Sequence, residues 1–206
     1  LVGSEMCIRD SYNDDGYIEV DKNGNVAVKD DYMDDIYLGS VFPKYNLAWR
    51  NDFNYKGINL GVLFTARIGG ICYSATQANM DLYGVSEASA AARDAGGVMI
   101  NGRDMIDAQK WYQVIGSQSG LPQYYTYSAT NVRLQELSLG YTLPSKWFRD
   151  KMRMTVSFVG RNLWMIYCKA PFDPEAVAST GLNYQGIDYF MMPSMRSLGF
   201  NVKFQF

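Results

Sequence analysis

The residues of this chain that could carry chemistry are few. Asp173-Pro174-Glu175 places two carboxylates near each other, and Tyr124, Tyr125 and Tyr127 offer aromatic faces. General acid/base work needs a partner base or nucleophile beside the carboxylates, and none stands near Asp173 in the sequence. A turn in which Asp173 bonds its own backbone is the reading that a Pro-containing loop favours. The three tyrosines could stack on sugar rings, since an aromatic face gives a large apolar contact at low entropy cost. The competing and favoured reading is an interface girdle or packing within the loop. The chain contains no histidine. This removes Ser-His-Asp and Cys-His catalysis and any His-ligated metal site. Cys7, Cys72 and Cys168 lie far apart without ligand-type spacing, and their number is odd. Asp21 opens a stretch that would need glycine at its sixth position and glutamate at its twelfth to be an EF-hand loop. Those positions hold Val26 and Tyr32. Met191, Met192 and Met195 suit adaptable packing. No cofactor is expected, and no enzyme.

The elements that would position these residues are strands. The chain has 206 residues, 48% hydrophobic and 15% aromatic, yet its mean hydropathy is -0.20. Alternation of apolar and polar residues produces that combination. No run reaches the roughly 18 apolar residues that a membrane-spanning helix requires. A net charge of -2 offers no electrostatic case for nucleic acid. Sixteen tyrosines and ten phenylalanines favour β structure.

The alternation is plainest at the end of the sequence. Phe200, Val202, Phe204 and Phe206 fall on one face, and Asn201, Lys203 and Gln205 on the other. Tyr45, Leu47 and Trp49 begin an earlier strand that runs through Tyr55. Lys56-Gly57 is a tight turn, and Ile58 to Ile68 alternate again. A third strand spans Asn131 to Thr142. Its apolar residues slip register between Leu134 and Leu137, which predicts a bulge near Gln135-Glu136. A fourth runs from Met152 to Trp164, and a fifth from Ser194 to Phe206. Between the second and third lies a connection of about sixty residues. Within it Ala75 to Asp94 is helix-prone, Ser86 can cap a helix and Gly96-Gly97 can stop one. A second long connection runs from Tyr167 to Met192.

Short and long connections therefore alternate strictly, as they do in a barrel whose two ends face different compartments. Period-2 patterning by itself also fits a soluble sandwich or barrel. Five strands of this length cannot close on themselves, and lipid does not tolerate an open edge. The fold class expected is all-β: about five antiparallel strands from the C-terminal part of a large transmembrane β-barrel, with a short helix in a long extracellular loop. Arg133, Arg153, Arg161 and Lys203 are expected on the lumen side.

Several segments carry a family resemblance. Tyr37-Leu38-Gly39-Ser40-Val41-Phe42-Pro43 comes first, then Asn51-Asp52-Phe53-Asn54-Tyr55-Lys56-Gly57 and Ala66-Arg67-Ile68-Gly69-Gly70. Val132-Arg133-Leu134-Gln135-Glu136-Leu137-Ser138-Leu139-Gly140-Tyr141-Thr142-Leu143-Pro144 is the strongest, followed by Gly160-Arg161-Asn162-Leu163-Trp164 and Phe172-Asp173-Pro174-Glu175. In this order, over about residues 37 to 206, they resemble the C-terminal end of the SusC/RagA family of TonB-linked outer-membrane proteins. Cysteine at Cys168 departs from that pattern. The resemblance implies a 22-stranded barrel with an N-terminal plug in a Gram-negative outer membrane. It implies a SusD-like surface lipoprotein and TonB as partners, the latter acting through an N-terminal part that this chain lacks. The cargo it implies is an oligosaccharide or a peptide. Phe204 and Phe206 would resemble the signal read by the barrel-assembly machinery. Alternatives of other classes are a passive porin or surface adhesin on a similar barrel, and a soluble carbohydrate-binding β domain.

Three regions are expected. Residues 1-11 resemble a translated sequencing-adapter read and are expected to be non-native. Residues 12-43 form an acidic extracellular loop, and residues 44-206 the barrel wall. By itself such a piece exposes two strand edges and an oily face, so the isolated chain should aggregate. Size-exclusion chromatography and thermal unfolding in detergent-free buffer check this; a soluble monomer that melts cooperatively would contradict it.

Overall fold

The computed structural model describes residues 5–8, 13, 15–22, 25–27, 36–117, 120–148, 151–178 and 185–205. The chain divides into two compact units.

The first unit comprises residues 43–69, 129–176 and 192–206. It is a five-stranded sheet whose long strands are numbered here β1 to β5: β1 Tyr45–Tyr55, β2 Ile58–Ile68, β3 Asn131–Thr142, β4 Arg153–Cys168 and β5 Ser197–Gln205. Their order across the sheet is β5-β4-β3-β2-β1, every pair antiparallel. Sequence neighbours are thus spatial neighbours. The fourth strand extends to Cys168, beyond the expected Trp164, and the fifth starts at Ser197 rather than Ser194.

Registry makes the two faces of the sheet chemically distinct. Phe53, Leu60, Leu139, Phe158 and Phe200 lie in one row across all five strands. The next row, on the other face, is Asn54, Asn59, Gly140, Ser157 and Asn201. The large side chains of the apolar face are exposed among the described residues: Phe200 is 81% exposed and Trp49 61%. Its rings pack sideways on one another instead. Trp49 stacks on Phe64 at 5.7 Å, and Phe158 meets Phe200 edge-on at 5.5 Å.

The expected bulge is present. Leu63 pairs with Glu136 while Phe64 pairs with Leu134, so Gln135 is the extra residue. It returns Leu134 and Val132 to the apolar face already held by Leu137, Leu139 and Tyr141. On the other side, β4 absorbs the shift between Arg161 and Trp164, where Asn162 takes a positive φ of 52°.

The second unit comprises residues 1–42, 70–128 and 177–191. Glu5–Ile8 pairs with Ile36–Ser40, so part of the segment expected to be non-native forms a strand. Ile71–Ser74 lies between Ile187–Asp188 and Thr126–Ser128. Where one helix was expected there are three: α1 Ala75–Leu82, α2 Glu87–Asp94 and α3 Ala108–Ile115. The helix-prone stretch is split because Gly84, at φ 69°, ends α1 and Ser86 then caps α2 by accepting from Ser89 N at 3.0 Å. Ser74 and Asp107 cap the other two. The core is small: Val26, Ala78, Ile100, Ile106, Trp111, Ile115, Leu121 and Tyr125. Phe206 and the acids Asp30, Asp31, Asp34 and Asp35 lie outside the described residues.

The β1–β2 turn sets the register of the sheet's margin. Lys56 and Gly57 both have positive φ, 47° and 88°, as a two-residue primed turn demands. A Cβ on Gly57 would stand 2.9 Å from the Thr142 carbonyl oxygen. Gly57→Ala should therefore cost about 1–3 kcal/mol. A lower urea midpoint in detergent, with Lys56→Asn neutral or stabilising beside it, checks this.

Candidate functional site

Two parts of the molecule gather polar or aromatic groups that could act. The first is the polar face of the sheet. Arg50 donates from Nε to Asp52 Oδ2 at 2.9 Å, and Arg161 Nε donates to Glu136 Oε2 at 3.1 Å. Arg50 Nη1 approaches the other Glu136 oxygen at 4.0 Å. The pairing Arg50–Leu63–Glu136–Arg161 runs across four strands, so these charges form a strip transverse to the strands. Arg153, Arg161 and Lys203 share this face, as expected.

Arg133 lies on the same face but differs in environment. It is buried, and Nη2 donates to Asp173 Oδ1 at 2.9 Å; the two side chains are 4% and 8% exposed. Glu175 Oε2 stands 3.4 Å from the same nitrogen. Asn131 accepts from Arg133 Nε at 3.3 Å. Asp173 Oδ1 also accepts from Glu175 N at 3.0 Å, the local backbone bond expected of a turn. Its other oxygen accepts from Ser194 Oγ at 2.6 Å and Ser194 N at 3.3 Å. The Asp-Pro-Glu carboxylates thus hold a structure together, and the arrangement offers no nucleophile. Burial works to raise the Asp173 carboxyl, but the bonds from Ser194, Arg133 and Glu175 N outweigh it and hold the pKa below the ordinary value.

The second part is the tyrosine run, which follows Pro122 in a 3₁₀ turn over Pro122–Tyr125. The structure divides the three tyrosines. Tyr125 is 1% exposed, within the core, and Tyr73 meets it edge-on at 6.5 Å. Burial, and then the charge of Asp81, pushes its hydroxyl far above the ordinary value. No face of this ring is open to a sugar. Tyr124 packs edge-on to Trp111 at 5.5 Å. Tyr127 donates its hydroxyl to Gln77 Oε1 at 2.6 Å. Both are half-buried. Nothing in the run Tyr124-Tyr125-Thr126-Tyr127 marks Tyr125 as the inward-facing ring; the 3₁₀ turn over Pro122–Tyr125 decides it. Phe204 lies on the exposed apolar face of β5. Arg133 and Ser194 are the partners of Asp173 that sequence reading missed, being 40 and 21 positions away.

An antiparallel meander with an apolar face, a polar face and an outer edge unpaired at each margin among the described residues has the architecture of a section of β-barrel wall. Comparison with known proteins finds a likeness to a TonB-dependent receptor and, in fold, to a peptide importer. No family model matches the chain. It is 25% identical over 198 residues to TonB-dependent receptor P3 of Formosa agariphila, a match covering 91% of this chain and 19% of that protein. Structures of the RagAB peptide importer in its closed-closed and open-open states superpose with TM-scores of 0.56 and 0.58 at 18% and 16% identity. A structure of the RagAB peptide transporter gives 0.57 at 19%. These three cover 97%, 97% and 98% of this chain and 22%, 21% and 22% of theirs. The chain spans about a fifth of the length of its relatives. The SusC/RagA resemblance and the all-β barrel fold read from the sequence are both borne out.

The depressed Asp173 pKa has a pH consequence. The folded state favours the ionised carboxylate, so its stabilisation is fully present above the unfolded value, near pH 4, and is lost as pH falls through the folded value. The stability difference between the wild type and Asp173→Asn should be about 3 kcal/mol near neutrality. Urea titrations in detergent at a series of pH values should show that difference shrinking once the pH drops below about 4.

Proposed function

We propose that this chain is the C-terminal wall of a TonB-dependent importer in the outer membrane of a Gram-negative bacterium, carrying an oligosaccharide or peptide with a SusD-like lipoprotein. The observation that carries this reading is the uncovered apolar face of β1 to β5, continuous across five strands and backed by a polar face. A water-facing sheet of this size would leave many large apolar side chains in solvent. A lipid-facing one needs them. The receptor and importer names of the relatives support transport, and none names an enzyme.

The connections fit this role. Lys56-Gly57 and the stretch from Leu143 to Met152 are short and leave one end of the sheet, which we assign to the periplasm. The connections 69–130 and 169–196 leave the other, which we assign to the cell exterior together with residues 12–43. TonB would act through a plug encoded ahead of these strands. Tyr124 and Tyr127 remain candidate cargo contacts. Tyr125 serves their packing. Phe204 and Phe206 would present the terminal aromatic signal to the assembly machinery.

Paired substitutions on β5 test the membrane reading. Phe200 and Asn201 are neighbours on opposite faces. Phe200→Arg should cost about 2–4 kcal/mol if that face meets hydrocarbon, whereas Asn201→Arg should be tolerated. The amount of heat-modifiable barrel in purified outer membranes reads this out. Equal tolerance of both substitutions would remove the membrane reading.

A further inference from the structure

The second unit holds a carboxylate whose surroundings do not answer its charge. Asp81 stands in the last turn of α1 and is 3% exposed. The C-terminal end of a helix carries partial negative charge, so an acid there is unfavourable and a cation favourable. Burial adds the cost of taking the charge out of water. No basic residue shares that turn, and Asp81 Oδ1 has no hydrogen-bond partner. The Tyr125 hydroxyl lies beside the carboxylate but closes no hydrogen bond on it.

A cavity of about 170 Å³ adjoins Asp81, framed by residues of α1, α2 and α3. Its other polar walls are Arg93 from α2 and Gln109 and Tyr112 from α3. Arg93 Nη1 donates to Gly84 O at 2.8 Å. That bond holds the guanidinium at the wall, turned to Gly84 and not to Asp81, and leaves its other N–H groups for a further acceptor. Tyr112 is half-buried. Burial, and then the charge of Asp81, raises its hydroxyl above the ordinary value, so the ring lies within the field of the carboxylate.

These groups select among occupants. Calcium needs several oxygen ligands, and among the described residues no three of His, Cys, Asp or Glu come together. A simple cation would suit Asp81 but would be repelled by Arg93. A molecule with an ammonium and a carboxylate a few bonds apart answers both charges. Cavities of roughly 150 Å³ admit molecules of benzene's size, and a short amino acid is no larger. We propose that the cavity framed by α1, α2 and α3 binds a small α-amino acid as its zwitterion, with the ammonium on Asp81 and the carboxylate on Arg93. The ammonium then completes the hydrogen bonding of Asp81, rests on the negative end of α1 and lies against the Tyr112 ring. The site is built wholly within the second unit and does not depend on what surrounds the sheet.

Saturation-transfer NMR of L-alanine with the full-length gene product in detergent tests it, comparing wild type, Asp81→Asn and Arg93→Gln. The wild type should bind with a Kd of about 1 mM or tighter. Asp81→Asn should weaken binding about tenfold or more, and Arg93→Gln, at an exposed position, by a smaller factor. N-acetylalanine lacks the ammonium and alaninamide lacks the carboxylate; neither should displace alanine. Absence of binding to the wild type overturns the proposal. Binding unchanged in both variants also overturns it, because alanine then sits elsewhere. Full displacement by either analogue does the same. If Asp81→Asn does not fold, Arg93→Gln decides, and wild-type binding in it overturns the site.

Discussion

In a strand, a backbone amide shielded from water finds its partner on the neighbouring strand, and that requirement shapes the sheet of this molecule. It forces the strands to pair in sequence order without interruption across the sheet. The outer face is almost wholly apolar: the row from Phe53 to Phe200 is apolar from end to end, and Asn51, two residues along β1, is a polar exception. Most irregular structure lies in the connections, the bulge at Gln135 and the register shifts of β4 aside. The sheet obeys the rule internally and leaves it open at two places, the outer edges of β1 and β5. The proteins this chain resembles are about five times longer.

The connections follow a different physics. They have water to bond with, so they can be long, and they hold together through caps, a small apolar core and the bonds of Asp173. The core of the second unit is modest, built around Trp111, Leu121 and Tyr125. It stabilises a compact loop assembly through burial, while the wall is stabilised by backbone pairing. The same chain thus uses two kinds of cohesion, divided at the points where strands end.

The wall was legible in the sequence because period-2 alternation is a strong signal when one face must be apolar throughout. Strand positions, the Lys56-Gly57 turn and even the Gln135 bulge followed from it. Strand ends were less legible, since β4 continues to Cys168 where alternation has already blurred. The loops were the least legible. Ser86 announced its cap and Ala75 to Asp94 read as helix-prone, but the break at Gly84 and the helix α3 were not foreseen, and nothing local distinguishes buried Tyr125 from its neighbours. The partners of Asp173 were out of reach because they are far from it in sequence. Asp173 read as a turn residue, which it is, but its bonds to Arg133 and Ser194 depend on a topology that brings them together.

The bulge at Gln135 has a consequence for Arg133. A strand counts its residues by parity, and one inserted residue inverts the sides for everything beyond it. Leu137, Leu139 and Tyr141 lie on the oily side by odd numbers. Past Gln135 the even-numbered Leu134 and Val132 take over that side, and odd-numbered Arg133 is turned inward. Without the extra residue, the guanidinium would emerge on the apolar face and leave Asp173 without its cation. One uncounted position in the middle of the wall thus decides, a turn of the pleat away, whether a charge is an anchor or a defect.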